Sequence, residues 1–85
     1  MHIMARGEKL LERMRSNSRD WRIEDVAAVC AAFDIACTPP RKGSHYKVKH
    51  EARAATLTVP AHKPIKPWYI EALVGFVDAV RETRS

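Results

Sequence analysis

The strongest constraint on this chain is a pair of short alternating segments fenced by prolines, with Pro39-Pro40 on one side and Pro60 on the other. Proline donates no ladder hydrogen bond, so a strand ends where it stands unless the strand lies on an edge. Between these fences, Ser44, Tyr46, Val48 and His50 point one way along an extended chain, and His45, Lys47 and Lys49 the other. After a turn at 51–53, Ala55, Leu57 and Val59 alternate with Thr56 and Thr58. Setting Tyr46, Val48, Leu57 and Val59 against a core leaves one open sheet face bearing His45, Lys47, Lys49, Thr56 and Thr58. Ile35–Thr38 supplies a third strand.

The flanking segments read as helices. Leu10, Leu11 and Met14 share one side of residues 7–15, which Ser16-Asn17-Ser18 then break. Ile23, Val26, Ala27, Cys30 and Phe33 repeat that spacing over 23–33, with Glu24 and Asp25 in the first turn, where the helix dipole favours acids. This places Cys30 on the buried stripe as core filling. Pro67 suits the first position of a third helix, whose stripe is Ile70, Leu73, Val74, Val77 and Val80. Trp68 and Tyr69, beside prolines at its start, are expected to pack under a loop. The predicted fold is α+β: a small three-stranded antiparallel sheet with helices packed on one face and an extra N-terminal helix. Residues 1–21 form an N-terminal extension with that short helix, and 22–85 form the domain proper.

Charge separates the middle of the chain from the rest. Residues 41–66 hold seven basic side chains (Arg41, Lys42, Lys47, Lys49, Arg53, Lys63 and Lys66) against one acid, Glu51, while the remainder is close to neutral. The net charge of +5 over 85 residues therefore belongs to one segment and favours a polyanionic partner. A composition 46% hydrophobic and 29% charged argues against disorder. The length excludes a large cofactor-binding enzyme. No stretch approaches the roughly 18 apolar residues of a membrane span, and the start has no apolar signal region. Met4 is an alternative start. A cytoplasmic location is expected, with Cys30 and Cys37 as reduced thiols.

The run Arg41-Lys42-Gly43-Ser44-His45-Tyr46-Lys47-Val48 resembles the Gly-Ser-His signature of the HicA family of toxins, small RNA-cleaving proteins of bacterial type II toxin–antitoxin systems. Leu57-Thr58-Val59-Pro60-Ala61-His62-Lys63-Pro64-Ile65-Lys66-Pro67 is similar to a segment of one branch of that family, and the helix at 23–33 fits in position. The resemblance covers roughly residues 23–80. It implies a double-stranded-RNA-binding-domain-like fold, ribonuclease activity on mRNA, neutralisation by a HicB-type antitoxin in a hetero-oligomer, and a catalytic role for His45, which follows Gly-Ser. Two departures stand out. The chain carries about 20 residues ahead of the shared region, and Asp34 stands where many members have Gly after the first shared helix.

The chemistry is consistent with those residue types. RNA carries its own nucleophile, the 2′-OH, so its cleavage requires proton management and stabilisation of a charged phosphorane. Imidazole changes protonation nearest to cellular pH and suits the first task. Lys47 and Lys49, with Arg41 and Lys42, suit the second, and Lys63 is a further RNA contact. No acidic pair accompanies the basic segment, which disfavours a carboxylate-bound metal pair. The expected enzyme is a metal-independent endoribonuclease without cofactor that leaves a 2′,3′-cyclic phosphate.

Gly43 and Ser44 are assigned to turn support, Ser44 because its side chain points away from that of His45. His50 has the opposite parity to His45 and reads as a strand-end residue, so the two do not share one zinc. His62 reads as a loop residue and His2 as disordered. The alternative function is a non-catalytic RNA-binding module in which the same lysines track phosphates. A third, weaker alternative is an inactive family member that only pairs with an antitoxin.

Overall fold

The computed structural model describes residues 5–84; His2 and Met4 lie outside them. The elements are α1 (Arg6–Ser16), α2 (Ile23–Ala32), β1 (Ala36–Thr38), β2 (His45–Lys49), β3 (Leu57–Pro60) and α3 (Pro67–Arg84). Each of the first two helices opens with an acid three residues past its cap. Glu8 accepts the Ala5 N–H at 3.2 Å and Asp25 accepts the Arg22 N–H at 3.0 Å, satisfying donors that a helix start leaves unpaired. At the end of α2 the chain turns through Asp34 in a left-handed conformation, φ 56°, where the resemblance expects glycine.

The strands form one antiparallel sheet with β2 at its centre. On one side Ala36, Cys37 and Thr38 pair with Lys49, Val48 and Lys47. On the other, His45, Tyr46, Lys47 and Val48 pair with Pro60, Val59, Thr58 and Leu57. The predicted alternation therefore holds along β2, but β3 differs at both ends. It starts at Leu57, which leaves Thr56 outside the ladder, and it includes Pro60, tolerated because β3 is an edge strand.

Helix α2 packs against β1 and α3 against β3, while α1 packs on α2 and α3. One hydrophobic cluster unites them: Leu11 and Met14 from α1, Val26, Val29 and Cys30 from α2, Val48 and Val59 from the sheet, and Ile70, Leu73, Val77 and Val80 from α3. The N-terminal helix thus belongs to the same core as residues 22–85. Ala27 is only half-buried, and Val29 is fully buried, because the buried face of α2 runs through Val26, Val29, Cys30 and Phe33 at i, i+3, i+4 and i+7. Trp21 and Ile65 tie the linker before α2 to the linker before α3 through an isolated bridge, the Ile65 N–H reaching the Trp21 carbonyl at 2.9 Å. The Trp21 indole N–H donates to the Asn17 carbonyl at 2.7 Å.

Cys30 and Cys37 are both free thiols and face each other across the α2–β1 junction. The hydrogen bond to Cys37, reinforced by burial, pushes the Cys30 thiol up, while the same contact lowers Cys37 to about 7 against the cost of its partial burial. Trp68 departs from expectation: it is not covered by the loop but is 57% exposed, while Tyr69 packs partly on the core. Among the described residues, no helix is long and apolar enough to cross a membrane.

Two contacts of α1 are testable. A Cβ added at Gly7 would collide with the Ala32 side chain and crowd the Ala28 carbonyl at 3.2 Å. In an exposed helix Gly→Ala adds about 1 kcal/mol of stability. Here Gly7→Ala should instead lower it by about 1–3 kcal/mol in urea unfolding, because the overpacking outweighs the propensity.

Arg15 meets Asp78 of α3 in a two-pronged pair at 2.7 and 2.8 Å, and this hydrogen-bonded contact holds the Asp78 carboxyl below the usual carboxylate range. Both side chains remain partly exposed, so solvent screening limits the pair to less than about 1 kcal/mol. A carboxyl lowered in the fold stabilises above its unfolded value, near pH 4, and that contribution is lost as pH falls through the folded value. Asp78→Asn should therefore destabilise slightly at pH 7 and low salt, and progressively less as pH falls below about 4 or as salt rises to about 1 M.

Candidate nucleic-acid interface

Strand β2 carries the site. Val48 is fully buried beneath the sheet, so alternation turns His45, Lys47 and Lys49 to the opposite, open face, where all three are exposed. Same-face neighbours on a strand lie about 6.6 Å apart, which makes a regular basic row. Thr38 on β1 and Thr58 on β3 both pair with Lys47. Ala36 and Pro60 complete the face, which has no carboxylate of its own. Among the described residues, none of Arg41, Lys42, Lys47 or Lys49 has an ion-pair partner.

The His45 end of this row opens into a groove of about 400 Å³ lined by Thr38, Pro39, Pro40, Arg41, Lys42, His45 and Lys47. Gly43 makes that convergence possible. Its φ of 82° lies in the left-handed region, which lets the Arg41-Lys42 turn reach the strand. Ser44 contributes through its backbone: its carbonyl accepts the Ala61 N–H at 2.6 Å, next to the pairing of His45 with Pro60. The main chain at His45 is thereby fixed from β3. Among the described residues, no side chain hydrogen-bonds the His45 imidazole.

The remaining expected residues fall elsewhere. Lys49 borders a different depression, of about 480 Å³, whose lining includes His50, Arg53 and the acids Asp34 and Glu51. His50 closes the turn after β2, its Nδ1 accepting the Ala52 N–H at 3.0 Å. Lys63 lines a third depression with His62, Lys66 and Arg19. The structure thus gathers Arg41, Lys42, His45 and Lys47, keeps Lys49 on the same face at the far end, and places Lys63 apart. Thr38 and the Pro39-Pro40 wall are part of the groove although the sequence marked them only as the end of a strand. The β1–β2 register is what places Thr38 beside Lys47.

Among the described residues, no group of three or more His, Cys, Asp or Glu side chains is placed to hold a metal ion. The groove offers a basic, solvent-open surface with one imidazole: it can bind phosphates and exchange a proton. Compared with protein-family profiles, curated proteins and solved structures, the chain matches none.

A Cβ at Gly43 would meet nothing within 4 Å, so any cost of substitution there is backbone strain alone. Gly43→Ala should lower stability by about 1–2 kcal/mol, equivalent to several degrees in Tm for a chain this size, and should weaken the groove's affinity for a polyanionic probe by disturbing the Arg41-Lys42 turn. Gly43→Asn should cost less on both counts, because Asn tolerates the left-handed region. Thermal unfolding and a salt-controlled filter-binding assay would check both.

Proposed function

We propose that the chain is the toxin of a type II toxin–antitoxin pair, an endoribonuclease of the HicA kind that cleaves mRNA without a metal. The observation that carries this is the convergence of His45, Lys47, Arg41 and Lys42 on one open groove with no acid among its lining residues. The order α2-β1-β2-β3-α3, with both helices against the sheet, supports a double-stranded-RNA-binding-domain-like arrangement, and Asp34, which stands where many members of that family have glycine, takes a left-handed conformation.

In this mechanism a phosphodiester lies in the groove with its non-bridging oxygens toward Lys47 and the Arg41-Lys42 turn. His45 removes the proton from the 2′-OH, the 2′-oxygen attacks phosphorus, and the bond to the 5′-oxygen breaks. The imidazolium then returns its proton to the leaving 5′-oxygen, giving a 2′,3′-cyclic phosphate and a free 5′-hydroxyl. The cations stabilise the charge that builds on the phosphorane and act without reorganising if they are held in place. A HicB-type antitoxin that is acidic, or large enough to cover His45, would silence the protein in a hetero-oligomer by occupying this groove.

One feature favours a second reading. The exposed imidazole of His45 has no side chain orienting it among the described residues, as expected of a contact residue in a non-catalytic RNA-binding module. Turnover separates the two. Labelled single-stranded RNA in EDTA should be cleaved by the wild type and about 10²–10⁴-fold more slowly by His45→Ala at matched RNA affinity. Binding without cleavage by either protein would establish the binding module, and cleavage that stops in EDTA and returns with magnesium would overturn the metal-free mechanism.

A further inference from the structure

Trp68 stands out on the surface. Among the described residues it is the exposed large hydrophobic side chain, although its neighbour Tyr69 reaches the core. The indole is held on two sides: the Tyr69 ring centroid lies 5.7 Å away at a tilt of 40°, and the Lys66 ammonium sits over the ring at 5.2 Å. Lys66 also lines a depression of about 490 Å³ together with Lys63, Arg19 and His62, where Asp20 is the one carboxylate. The platform and the basic depression are therefore continuous through Lys66.

This region shares no lining residue with the His45 groove but is joined to it through the end of β3. Pro60 pairs with His45, the Ala61 N–H bonds to the Ser44 carbonyl, and Lys63 follows two residues later, within about 7 Å of chain reach. An exposed aromatic ring next to a groove of cations is the combination that holds single-stranded nucleic acid, with bases stacking on the ring and phosphates meeting the cations. A protein partner fits less well. Protein interface cores are depleted in lysine, whereas here the Lys66 ammonium sits over the exposed indole and Lys63 and Arg19 line the depression that Lys66 shares.

We infer that Trp68 and the depression at 62–67 form a second RNA subsite, in which a base of the single strand flanking the cleaved phosphodiester stacks on Trp68 while adjacent phosphates meet Lys63, Lys66 and Arg19. This rests on the ribonuclease reading for its substrate, but its test does not require turnover.

The probe is a 2′-O-methyl oligonucleotide of eight residues, which has no free 2′-OH to cleave, titrated into the full chain while tryptophan emission is followed. The other tryptophan, Trp21, is buried beneath Arg13 and provides a steady background. The oligonucleotide should quench emission, an abasic strand of equal length and charge should bind without quenching, and Trp21→Phe should keep the response. Trp68→Ala should weaken binding roughly 5- to 100-fold, and Trp68→Phe should recover most of that loss. No quenching, equal quenching by the abasic strand, or unchanged affinity in Trp68→Ala would overturn the subsite. Quenching in a protein that never cleaves RNA would sink the enzyme reading and leave the subsite standing.

Discussion

Val48 sits fully buried in the central strand, between Lys47 and Lys49, and much of the molecule depends on it. Slipping β2 by one residue would bring Lys47 or Lys49 into its place, because the side-chain period of a strand is two. Burying an unpaired ammonium costs several kcal/mol, added to the loss of the valine's own burial. The apolar and charged halves of the strand therefore specify the same register. That register then sets the open face: His45 beside Pro60, Lys47 between Thr38 and Thr58, and Lys49 beside Ala36.

The elements legible in the sequence are those with a repeated physical signal. Alternation in β2, the Leu10-Leu11-Met14 stripe of α1 and the Pro67 start of α3 each combine several residues that favour one answer, and all appear in the structure. Where one signal met a competing demand, the sequence was ambiguous. Ala55 and Thr56 continue the alternation, yet the chain bends there and pairing begins only at Leu57. Val29, three residues after Val26 and four before Phe33, shares one helix face with them, so the buried stripe runs through Val29 rather than through Ala27. Trp68 is exposed because Tyr69 and Ile70 turn the first residues of α3 toward the core instead. Within the site, strand parity located His45, Lys47 and Lys49. The closeness of Arg41 and Lys42 to His45 depended on the turn at Gly43, and the separation of Lys63 depended on the path of the 61–66 loop, neither of which has a periodicity to read.

Helix α1 shows how a chain of this size forms a core. A domain this small buries only about 60–65% of its unfolded surface, and one sheet face covered by two helices leaves those helices with open outer sides. Leu11 and Met14 are fully buried against them, and the Gly7 approach to Ala32 lets the helices close at the other end. The Arg15–Asp78 pair then joins α1 to α3 at the surface. All of this lies behind the sheet, so the first helix supports the open face without contributing a residue to its groove.

The open face is electrostatically uneven, with consequences for how a polyanion would settle on it. At the Lys49 end, Asp34 and Glu51 share the neighbouring depression and partly offset the lysine. At the His45 end, the groove holds Arg41, Lys42 and Lys47 with no acid in its lining. Among the described residues no ion pair relieves the repulsion between those cations, so a phosphate gains most by binding where the acids are farthest away. Anion affinity should rise along β2 toward its first residue, which is His45. If His45 is the proton acceptor, this gradient rather than a partner side chain is what brings the scissile phosphate to it, and the imidazole is oriented by the substrate it meets.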